Sequence, residues 1–397
     1  MGALPPTPSL ADIRQQFPTL QTNTYFNYGG QGPLPQVALA AIQSAYQTLQ
    51  AAGPFSGQAN DWITQTTLAL KQTIGHELQV SASTIALTEN VSVGCNIALW
   101  GIDWQPGDHL LLSDCEHHSV VAAVQELQRR ELIEVSVCPL QQTLNGGDPV
   151  ALVQQYLRPN TRLVVLSHIL WNTGQVLPLA EITATCHAHS PSTWVLVDAA
   201  QSVGVLPLDL AATQVDFYAF TGHKWWCGPE GVGGLYIRPD VMADLHPTFI
   251  GWRGSTTDKT GTPTGWKPDA CRYEVATSAY PLYAGLKAAI GVHSQWSSAE
   301  DRYQRITHLS RQLWQGLSQV SGINCLKATA PESGLVAFKL TNQAHGPLVR
   351  WLERQRLFVR TISAPDCVRA CVHYFTWESE VQQLVEAVHQ FQTESQG

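Results

Sequence analysis

The chain of 397 residues is 44% apolar and has a formal net charge of −8. It can therefore bury a large core, and its acidic balance disfavours nucleic acid or a membrane surface as a partner. Its nine cysteines include no C-x-x-C pair, and residues 1–8 lack the basic and apolar regions of a signal peptide. With no apolar run long enough to cross a bilayer, we expect reduced thiols and a cytoplasmic protein.

The first hundred residues predict three helices, a strand and a fourth helix. Ser9 can cap a short helix over residues 9–17, and helical periodicity covers residues 36–54 and 59–79. Between the first and second of these helices, Gly29 and Gly30 allow the backbone to approach a ligand closely, although a simple turn would explain the two glycines equally well. Residues 85–96 are typical of a strand, a polar turn and a helix start, where exposed amides can bind phosphate.

Two further predicted strands end in polar residues. The strand 109–114 is followed by Cys-Glu-His117-His118-Ser, and the strand 163–170 is followed by Trp171-Asn172-Thr-Gly. An imidazole after a strand can stack on a ring and exchange protons, or it can simply cap the next helix. Adjacent histidines cannot readily bind one metal, so we predict no metal site.

A buried aspartate and a lysine suggest pyridoxal phosphate (PLP) chemistry. The apolar strand Trp194-Val-Leu-Val ends in Asp198, so a carboxylate lies at the carboxyl edge of a parallel sheet, where such folds bind ligands. A helix cap is the ordinary alternative for this aspartate. After the apolar run to Phe220 come Thr221, Gly, His223 and Lys224, then a Gly- and Pro-rich loop. A desolvated lysine becomes a nucleophile that can hold PLP, and the preceding threonine and histidine could donate to its phosphate.

The region after Lys224 predicts a polar loop and then a small α/β unit. Residues 249–267 favour a mobile lid that contains Trp252. Helices are predicted over 279–297, 301–320, 347–356 and 378–393, with strands over 334–340, 357–363 and 367–374. Arg360 and Arg369 each lie in an apolar strand, where a charge needs a partner. A substrate carboxylate would provide one through two parallel hydrogen bonds, and a structural salt bridge is the alternative.

The segments Asp198-Ala-Ala-Gln201-Ser-Val-Gly and Gly-His223-Lys224-Trp-Trp-Cys-Gly-Pro-Glu-Gly-Val-Gly resemble the cysteine desulfurase-like family of class V aminotransferases, and the cystine/cysteine C-S lyase branch within it. The resemblance covers nearly the whole chain. It implies an α/β, fold-type I PLP-dependent transferase fold, with a large domain built on a mainly parallel seven-stranded sheet and a small C-terminal α/β domain. The implied boundaries are an N-terminal segment 1–22, a PLP domain 23–275 and a C-terminal part 276–397.

The same resemblance implies the roles of individual residues. Lys224, Asp198 and His117 are the expected catalytic residues, with His117 stacking on the cofactor. Thr277 is expected to reach the phosphate of a neighbouring subunit, which implies a homodimer. The full set of expected cofactor ligands is Lys224, Asp198, Gln201, His117, Ser92, Val91, Thr221, His223 and Thr277. The expected substrate ligands are Arg369, Arg360, Gly29, Gly30, Asn172 and Trp252.

The chemistry follows from what lies between the two arginines. Desulfurases of the family need a thiolate on a loop there, whereas only eight residues separate Arg360 from Arg369, and Cys367 falls in the predicted strand. We therefore expect β-elimination of cystine or cysteine to pyruvate, ammonia and a persulfide or sulfide usable for iron-sulfur clusters. A desulfurase yielding alanine, a related epimerase or sulfoxide lyase, and a cofactor-free scaffold are the alternatives. The expected partners are a small sulfur amino acid, a second subunit and an iron-sulfur assembly acceptor.

Overall fold

The computed structural model describes residues 8–394. The strands are β1 (Thr24–Tyr25), β2 (Ile85–Thr88), β3 (His109–Ser113), β4 (Glu134–Cys138), β5 (Thr161–Ser167), β6 (Trp194–Asp198), β7 (Phe217–Thr221), β8 (Gly233–Ile237), β9 (Ser255–Thr257), β10 (Pro263–Trp266), β11 (Ile323–Cys325), β12 (Leu335–Leu340), β13 (Leu357–Phe358), β14 (Arg360–Ser363) and β15 (Asp366–Cys371). The helices are α1 (Leu10–Gln15), α2 (Gln36–Ala52), α3 (Gly57–Leu78), α4 (Val91–Gly101), α5 (His118–Glu131), α6 (Pro149–Tyr156), α7 (Leu179–His189), α8 (Leu210–Thr213), α9 (Tyr280–Trp296), α10 (Ala299–Ser318), α11 (His345–Arg354) and α12 (Glu378–Glu394).

The larger sheet has seven strands in the order β2-β8-β7-β6-β5-β3-β4. Strands β7, β6, β5, β3 and β4 pair in parallel, and β8 is antiparallel to both of its neighbours. Helices cover the sheet, and β2, β3, β6, β7 and β8 are buried along their whole length. This arrangement confirms the predicted fold class, and it brings the carboxyl ends of β5, β6 and β7 to one edge.

The smaller sheet is antiparallel, in the order β11-β12-β15-β14. Its apolar face packs with α10, α11 and α12 around a separate hydrophobic cluster that includes Leu313, Phe338, Leu348 and Leu384. This is the predicted small α/β unit. The N-terminal strand β1 pairs in parallel with β13, so the chain near residue 24 contacts the C-terminal region. The boundaries at residues 22 and 275 stay predictions.

Four predicted elements differ from the structure. The strand predicted over 163–170 ends at Ser167. The predicted strand 357–363 is broken at Val359, because β13 pairs with β1 whereas β14 pairs with β15 in another sheet. The following strand ends at Cys371 rather than at residue 374. The predicted loop 249–267 contains the hairpin of β9 and β10, in which threonines and a glycine turn provide the strands and their connection.

The start of the described chain behaves as predicted. The Ser9 hydroxyl accepts a hydrogen bond from the amide of Asp12, and the Asp12 carboxylate accepts one from the amide of Ser9. Residues 1–7, on which the expectation about a signal peptide depends, lie outside the described residues. Between residues 8 and 394, no helix has both the length and the apolar character needed to cross a membrane. All nine cysteines are free thiols within that range.

Candidate active site

A cavity of about 430 Å³ opens at the carboxyl edge of β5 and β6. The structure brings eleven of the fifteen predicted site residues to its wall, which is lined by Gly29, Gly30, Asn90, Val91, Ser92, His117, Ser119, Ser167, Ile169, Trp171, Asp198, Ala200, Gln201, His223, Lys224, Arg360 and Arg369. These residues come from seven separate stretches of chain. Five of the stretches end or follow strands of the larger sheet, whose carboxyl ends meet at one edge. The loop that contains Gly29 and Gly30 and the hairpin that carries the two arginines complete the wall.

Lys224 follows β7 in the tight loop that returns the chain to the antiparallel strand β8. Burial lowers the pKa of Lys224 to about 8; the charge of Asp198 opposes this shift, and the charges of Arg369 and Arg360 add to it. An amine with this pKa is partly unprotonated near neutral pH, so it can attack a carbonyl group or accept a proton. The geometry therefore supports the predicted nucleophile.

Asp198 is the last residue of β6 and is 5% exposed. Its Oδ1 accepts a hydrogen bond from the amide of Ala200 at 2.9 Å. Burial raises the pKa of Asp198, while the charge of Lys224 and the Ala200 amide oppose that rise. Three residues later, the Gln201 amide donates to the Gly29 carbonyl and accepts from the Trp225 indole, both at 2.9 Å. The side chain of Gln201 is thus fixed at the cavity wall.

The start of α4 forms one end of the cavity. The Asn90 side chain caps the helix by accepting from the Val93 amide at 3.1 Å. The amides of Val91 and Ser92 are the first in the helix, and such amides have no partner within their own helix. The Ser92 hydroxyl lies beside them and donates to the Ser119 hydroxyl at 3.3 Å. Together these groups form an anion site of the kind that binds phosphate.

His223 adds an imidazole to the same wall. Its Nδ1 lies 2.7 Å from the hydroxyl of Thr221, the fully buried last residue of β7. Burial lowers the pKa of His223, and the neighbouring charge of Lys224 lowers it further. Thr221 does not line the cavity, so its contribution is to orient the histidine that does.

His117 is the N-terminal cap of α5, in the turn between β3 and α5, and it lines the cavity. Its Nδ1 accepts from the Ser119 amide at 3.3 Å, so the ring proton lies on Nε2 in the neutral form. Burial lowers the pKa of His117 to about 4, and the charges of His118, Lys224 and the two cavity arginines contribute. The ring contacts Trp171 edge to face, with 5.3 Å between centroids. At neutral pH it is therefore an uncharged ring that can stack on a planar ligand.

The two arginines lie directly opposite each other on the hairpin of β14 and β15. Arg369 is 1% exposed and donates from Nη1 to the Trp171 carbonyl at 2.6 Å. Its Nε and Nη2 have no hydrogen-bond partner among the described residues. A Cβ atom at Gly29 would lie 2.9 Å from Nη2, so a glycine is needed for this approach. Two buried N–H groups without partners and a second cation across the strand indicate an anion site.

Three further predicted residues lie away from this cavity. The Asn172 amide donates to the Ala364 carbonyl at 3.0 Å, so it fastens the turn of the arginine hairpin rather than lining the cavity. Trp252 is 63% exposed and Thr277 is also exposed, and both line a different cavity of about 870 Å³. The role expected of Thr277 needs a second subunit, and it stays a prediction.

Six lining residues were not predicted: Asn90, Ser119, Ser167, Ile169, Trp171 and Ala200. Asn90, Trp171 and Ala200 each adjoin a predicted residue in the sequence. Ser167 and Ile169 lie inside the strand predicted over 163–170, and the apolar pattern did not indicate that this strand ends at Ser167. Ser119 has no such signal, because its position depends on the first turn of α5 behind His117.

No cysteine is among the residues that line this cavity in the described chain. Cys367 on β15 is fully buried and packs with Ala337 and Ile362. Burial raises the pKa of Cys367 to about 11, although the charge of Arg369 opposes the shift. A buried thiol with a raised pKa is a poor nucleophile.

Two buried histidines hold the loop after Lys224. His293 and His373 donate from Nε2 to the carbonyls of Trp226 and Trp225, each at 2.9 Å. Their Nδ1 atoms are also in hydrogen bonds, with the hydroxyl and the amide of Tyr374. The Cys227 thiol lies near both rings. Because all four ring nitrogens already have partners, this cluster positions the lysine loop and is not organised as a metal site.

The residues around the cavity fit PLP. The cofactor needs an amine for its carbonyl group, a carboxylate for its ring nitrogen and donors for its phosphate. Lys224, Asp198 and the start of α4 provide these groups around one space, and the unpartnered N–H groups of Arg369 remain for a substrate carboxylate.

Comparisons with known proteins agree with this arrangement. The family model described as aminotransferase class-V matches residues 24–384. A complex of the cystine C-S lyase C-DES with its product cysteine persulfide is 51% identical, has a TM-score of 0.92 and covers 94% of this chain and 99% of that one. A C-DES mutant with glycine linked to the PLP cofactor is 50% identical, with a TM-score of 0.93 and coverages of 96% and 99%. A probable cysteine desulfurase of Methanothermobacter thermautotrophicus is 26% identical, over 96% of this chain and 97% of the relative.

Proposed function

The chain belongs to the class-V aminotransferase family, and from this premise we propose that it is a PLP-dependent carbon-sulfur lyase acting on cystine or cysteine. With cystine and one water molecule, the products are pyruvate, ammonia and cysteine persulfide. One observation carries this choice of reaction. Lys224, Asp198 and Arg369 converge on one cavity, and no cysteine is among its lining residues in the described chain.

When bound, PLP supplies an electron-accepting ring that stabilises negative charge on the α-carbon of an amino acid. In this chain Lys224 would hold the carbonyl group of the cofactor, and Asp198 its ring nitrogen. Val91, Ser92 and His223 would bind the phosphate. The uncharged ring of His117 and the fixed amide of Gln201 would contact the cofactor ring, and Thr277 of a second subunit would complete the phosphate site.

The chain's own groups then account for the elimination. Arg369 binds the α-carboxylate of the substrate through its free Nε and Nη2 groups, beside the backbone of Gly29 and Gly30. Lys224, partly unprotonated because of its lowered pKa, removes the α-proton. The bond from Cβ to sulfur breaks, and a persulfide leaves more readily than hydrosulfide because its pKa is lower. Arg360, across the strand from Arg369, would bind the second carboxylate of cystine.

Desulfuration to alanine is the competing reaction. It needs a thiolate that attacks the substrate sulfur, and Cys367 is the cysteine that lies between the two arginines in the sequence. Cys367 is 0% exposed and does not line the cavity. A related epimerase or sulfoxide lyase would use the same cofactor residues, and only the products separate it from the proposed lyase.

The proposal includes a homodimer that releases persulfide sulfur to an iron-sulfur assembly acceptor in the cytoplasm. Large apolar side chains are exposed on α3, on the loop that precedes it and in the 249–252 segment, among them Leu68 at 51%, Phe55 at 88% and Trp252 at 63%, and these three line one cavity. Exposed apolar groups of this size, gathered near one cavity, mark interaction sites. Trp252 and Thr277 line that cavity, so a second subunit seated there would bring them to a shared boundary.

Product analysis tests the proposal. Purified protein is incubated with cystine and, separately, with cysteine, and pyruvate, ammonia, alanine and persulfide are quantified. Equal amounts of pyruvate and ammonia, with persulfide from cystine, are expected. The Lys224→Ala variant is the control for release that does not depend on the site. Alanine as the main product would instead establish desulfuration and assign a role to Cys367.

A further inference from the structure

The carboxyl group of Glu116 lies buried behind the cavity wall, and the mechanism above does not use it. The residue is 7% exposed and directly precedes His117. Its Oε1 accepts from the Ser113 hydroxyl at 2.5 Å and from the Ser167 amide at 2.8 Å. Its Oε2 lies 2.8 Å from the Ser167 hydroxyl. These contacts link the turn that carries His117 to the end of β5.

Ser167 connects Glu116 to the site itself. It lines the cavity as the last residue of β5, and it pairs in register with Asp198, the last residue of β6. Its hydroxyl therefore lies between a buried carboxyl group on one side and the cavity on the other. A hydroxyl has one proton to donate, so it can serve only one of these two sides at a time.

The surroundings favour a proton on Glu116 rather than on Asp198. Burial raises the pKa of Glu116 to about 8, the charge of Asp198 adds to this, and the donors from Ser113 and Ser167 oppose it. The other titratable groups that face Glu116 are the thiols of Cys95 and Cys115, both with raised pKa values. Lys224 faces Asp198 and lowers its pKa. When only one of the two carboxyl groups is ionised, the negative charge is therefore on Asp198.

We propose that Glu116 and Ser167 are a proton-linked pair of positioning residues that sets the direction of a hydroxyl group in the cavity. Protonated Glu116 donates from Oε2 to the Ser167 oxygen, and the serine proton then points into the cavity beside Asp198. When Glu116 releases its proton to solvent, the serine hydroxyl turns back and donates to the carboxylate. The O–H bond of the Glu116 carboxyl group is the one covalent bond that breaks, its proton goes to solvent, and the oxygen atoms keep their positions in both states.

The pair has two consequences for the site. A neutral Glu116 leaves the negative charge on Asp198, the carboxylate proposed to face the cofactor ring. It also adds a donor at the same edge of the cavity, next to the end of β6. As the pH rises through the pKa of Glu116, this donor is lost, and Asp198 keeps its charge beside a second carboxylate. This part of the inference rests on the proposed cofactor, whereas the titration of Glu116 does not.

Infrared spectroscopy of the holoenzyme during a pH titration tests the pair, because a protonated carboxyl group has its own absorption band. A band that titrates near pH 8 is expected in the wild type and is expected to be absent from Glu116→Gln. Ser113→Ala removes one donor to the charged form. In this variant the carboxyl band of Glu116 should therefore titrate about one to two pH units higher than in the wild type, because a hydrogen bond to a charged group usually has an effect of this size. A purely structural role of Glu116 would not produce this shift.

The visible absorbance of bound PLP is the second readout. A pH-dependent step with the same midpoint is expected in the wild type, and it should disappear in Ser167→Ala, where the carboxyl group still titrates. The inference is overturned if no band titrates in the wild type, if Ser113→Ala leaves the midpoint unchanged, or if Ser167→Ala keeps the visible step. A protein that binds no PLP would count against the proposed function, and its infrared titration would still decide the state of Glu116.

Discussion

Replacement of Arg369 by lysine should weaken substrate binding strongly while leaving the fold intact. Arg369 has two N–H groups, on Nε and Nη2, without a partner in the described chain, and a third that donates to the Trp171 carbonyl. Lysine keeps the positive charge but cannot form two parallel hydrogen bonds to a carboxylate. The variant therefore loses one charge-assisted bond to the substrate, together with the orientation that the fork provides.

The size of the effect follows from that bond. A hydrogen bond to a charged group contributes about 1.5–3 kcal/mol, and about 1.4 kcal/mol corresponds to a factor of ten. Arg369→Lys should thus raise KM for cystine roughly 10- to 150-fold. The effect on kcat should be smaller, because Lys224 and Asp198 are unchanged.

The assay is pyruvate release at varied cystine concentration, together with thermal unfolding of each variant. Arg302→Lys is the matched control, since Arg302 is also buried, at 4% exposure, and pairs with Glu77 at 2.7 Å away from the cavity. That variant should lose stability and keep its KM. An unchanged KM in Arg369→Lys, or an equal rise in Arg302→Lys, would refute the assignment of Arg369 as the carboxylate anchor.

Three other predictions concern the lysine, acid stability and assembly. Lys224→Ala should lower kcat about 10²- to 10⁴-fold, since it removes the base. In the wild type, the rate of pyruvate release should rise as the pH approaches the Lys224 pKa of about 8. Burial depresses the pKa of His293 to about 3 from 6.5, so the unfolded chain binds the proton first and stability should fall as pH drops below 6.5. Urea titrations of wild type and His293→Gln at several pH values would show this dependence reduced in the variant. Leu68→Asp should dissociate the proposed dimer in sedimentation experiments. Leu132→Asp is the control, because Leu132 is 72% exposed but lies outside the exposed apolar side chains near the Trp252 cavity, and this variant should stay dimeric. A monomeric wild type would contradict the proposed dimer.

The predicted residues that line the cavity carry their signal locally. Asp198 ends an apolar strand, and Lys224 stands between a buried strand and a glycine-rich loop, so both could be placed at a sheet edge from the pattern alone. The mainly parallel sheet follows from strands that alternate with helices. Arg360 and Arg369 were recognisable because a charge inside an apolar strand requires a partner.

The features that the sequence pattern did not indicate depend on contacts distant in sequence. The break at Val359 cannot be read from an unbroken apolar run, because it arises from pairing of β13 with β1, more than three hundred residues earlier. Asn172 was placed at the substrate because it follows a central strand. Its amide instead bonds to Ala364, on a hairpin whose docking no local pattern describes. Ser119 is a common residue type outside any motif, and its place at the cavity appears only when the strand ends meet.

The hairpin of β14 and β15 also has a consequence for how this enzyme could change. Both cationic side chains proposed to select the substrate lie on one short unit, while the groups proposed to hold the cofactor lie on the larger sheet. The hairpin contacts the loop after β5 through the Arg369 bond to the Trp171 carbonyl and the Asn172 bond to the Ala364 carbonyl. Recognition and reactivity are thus separable, and exchanging residues 360–371 would be an economical way to engineer a new substrate preference onto the same reaction centre.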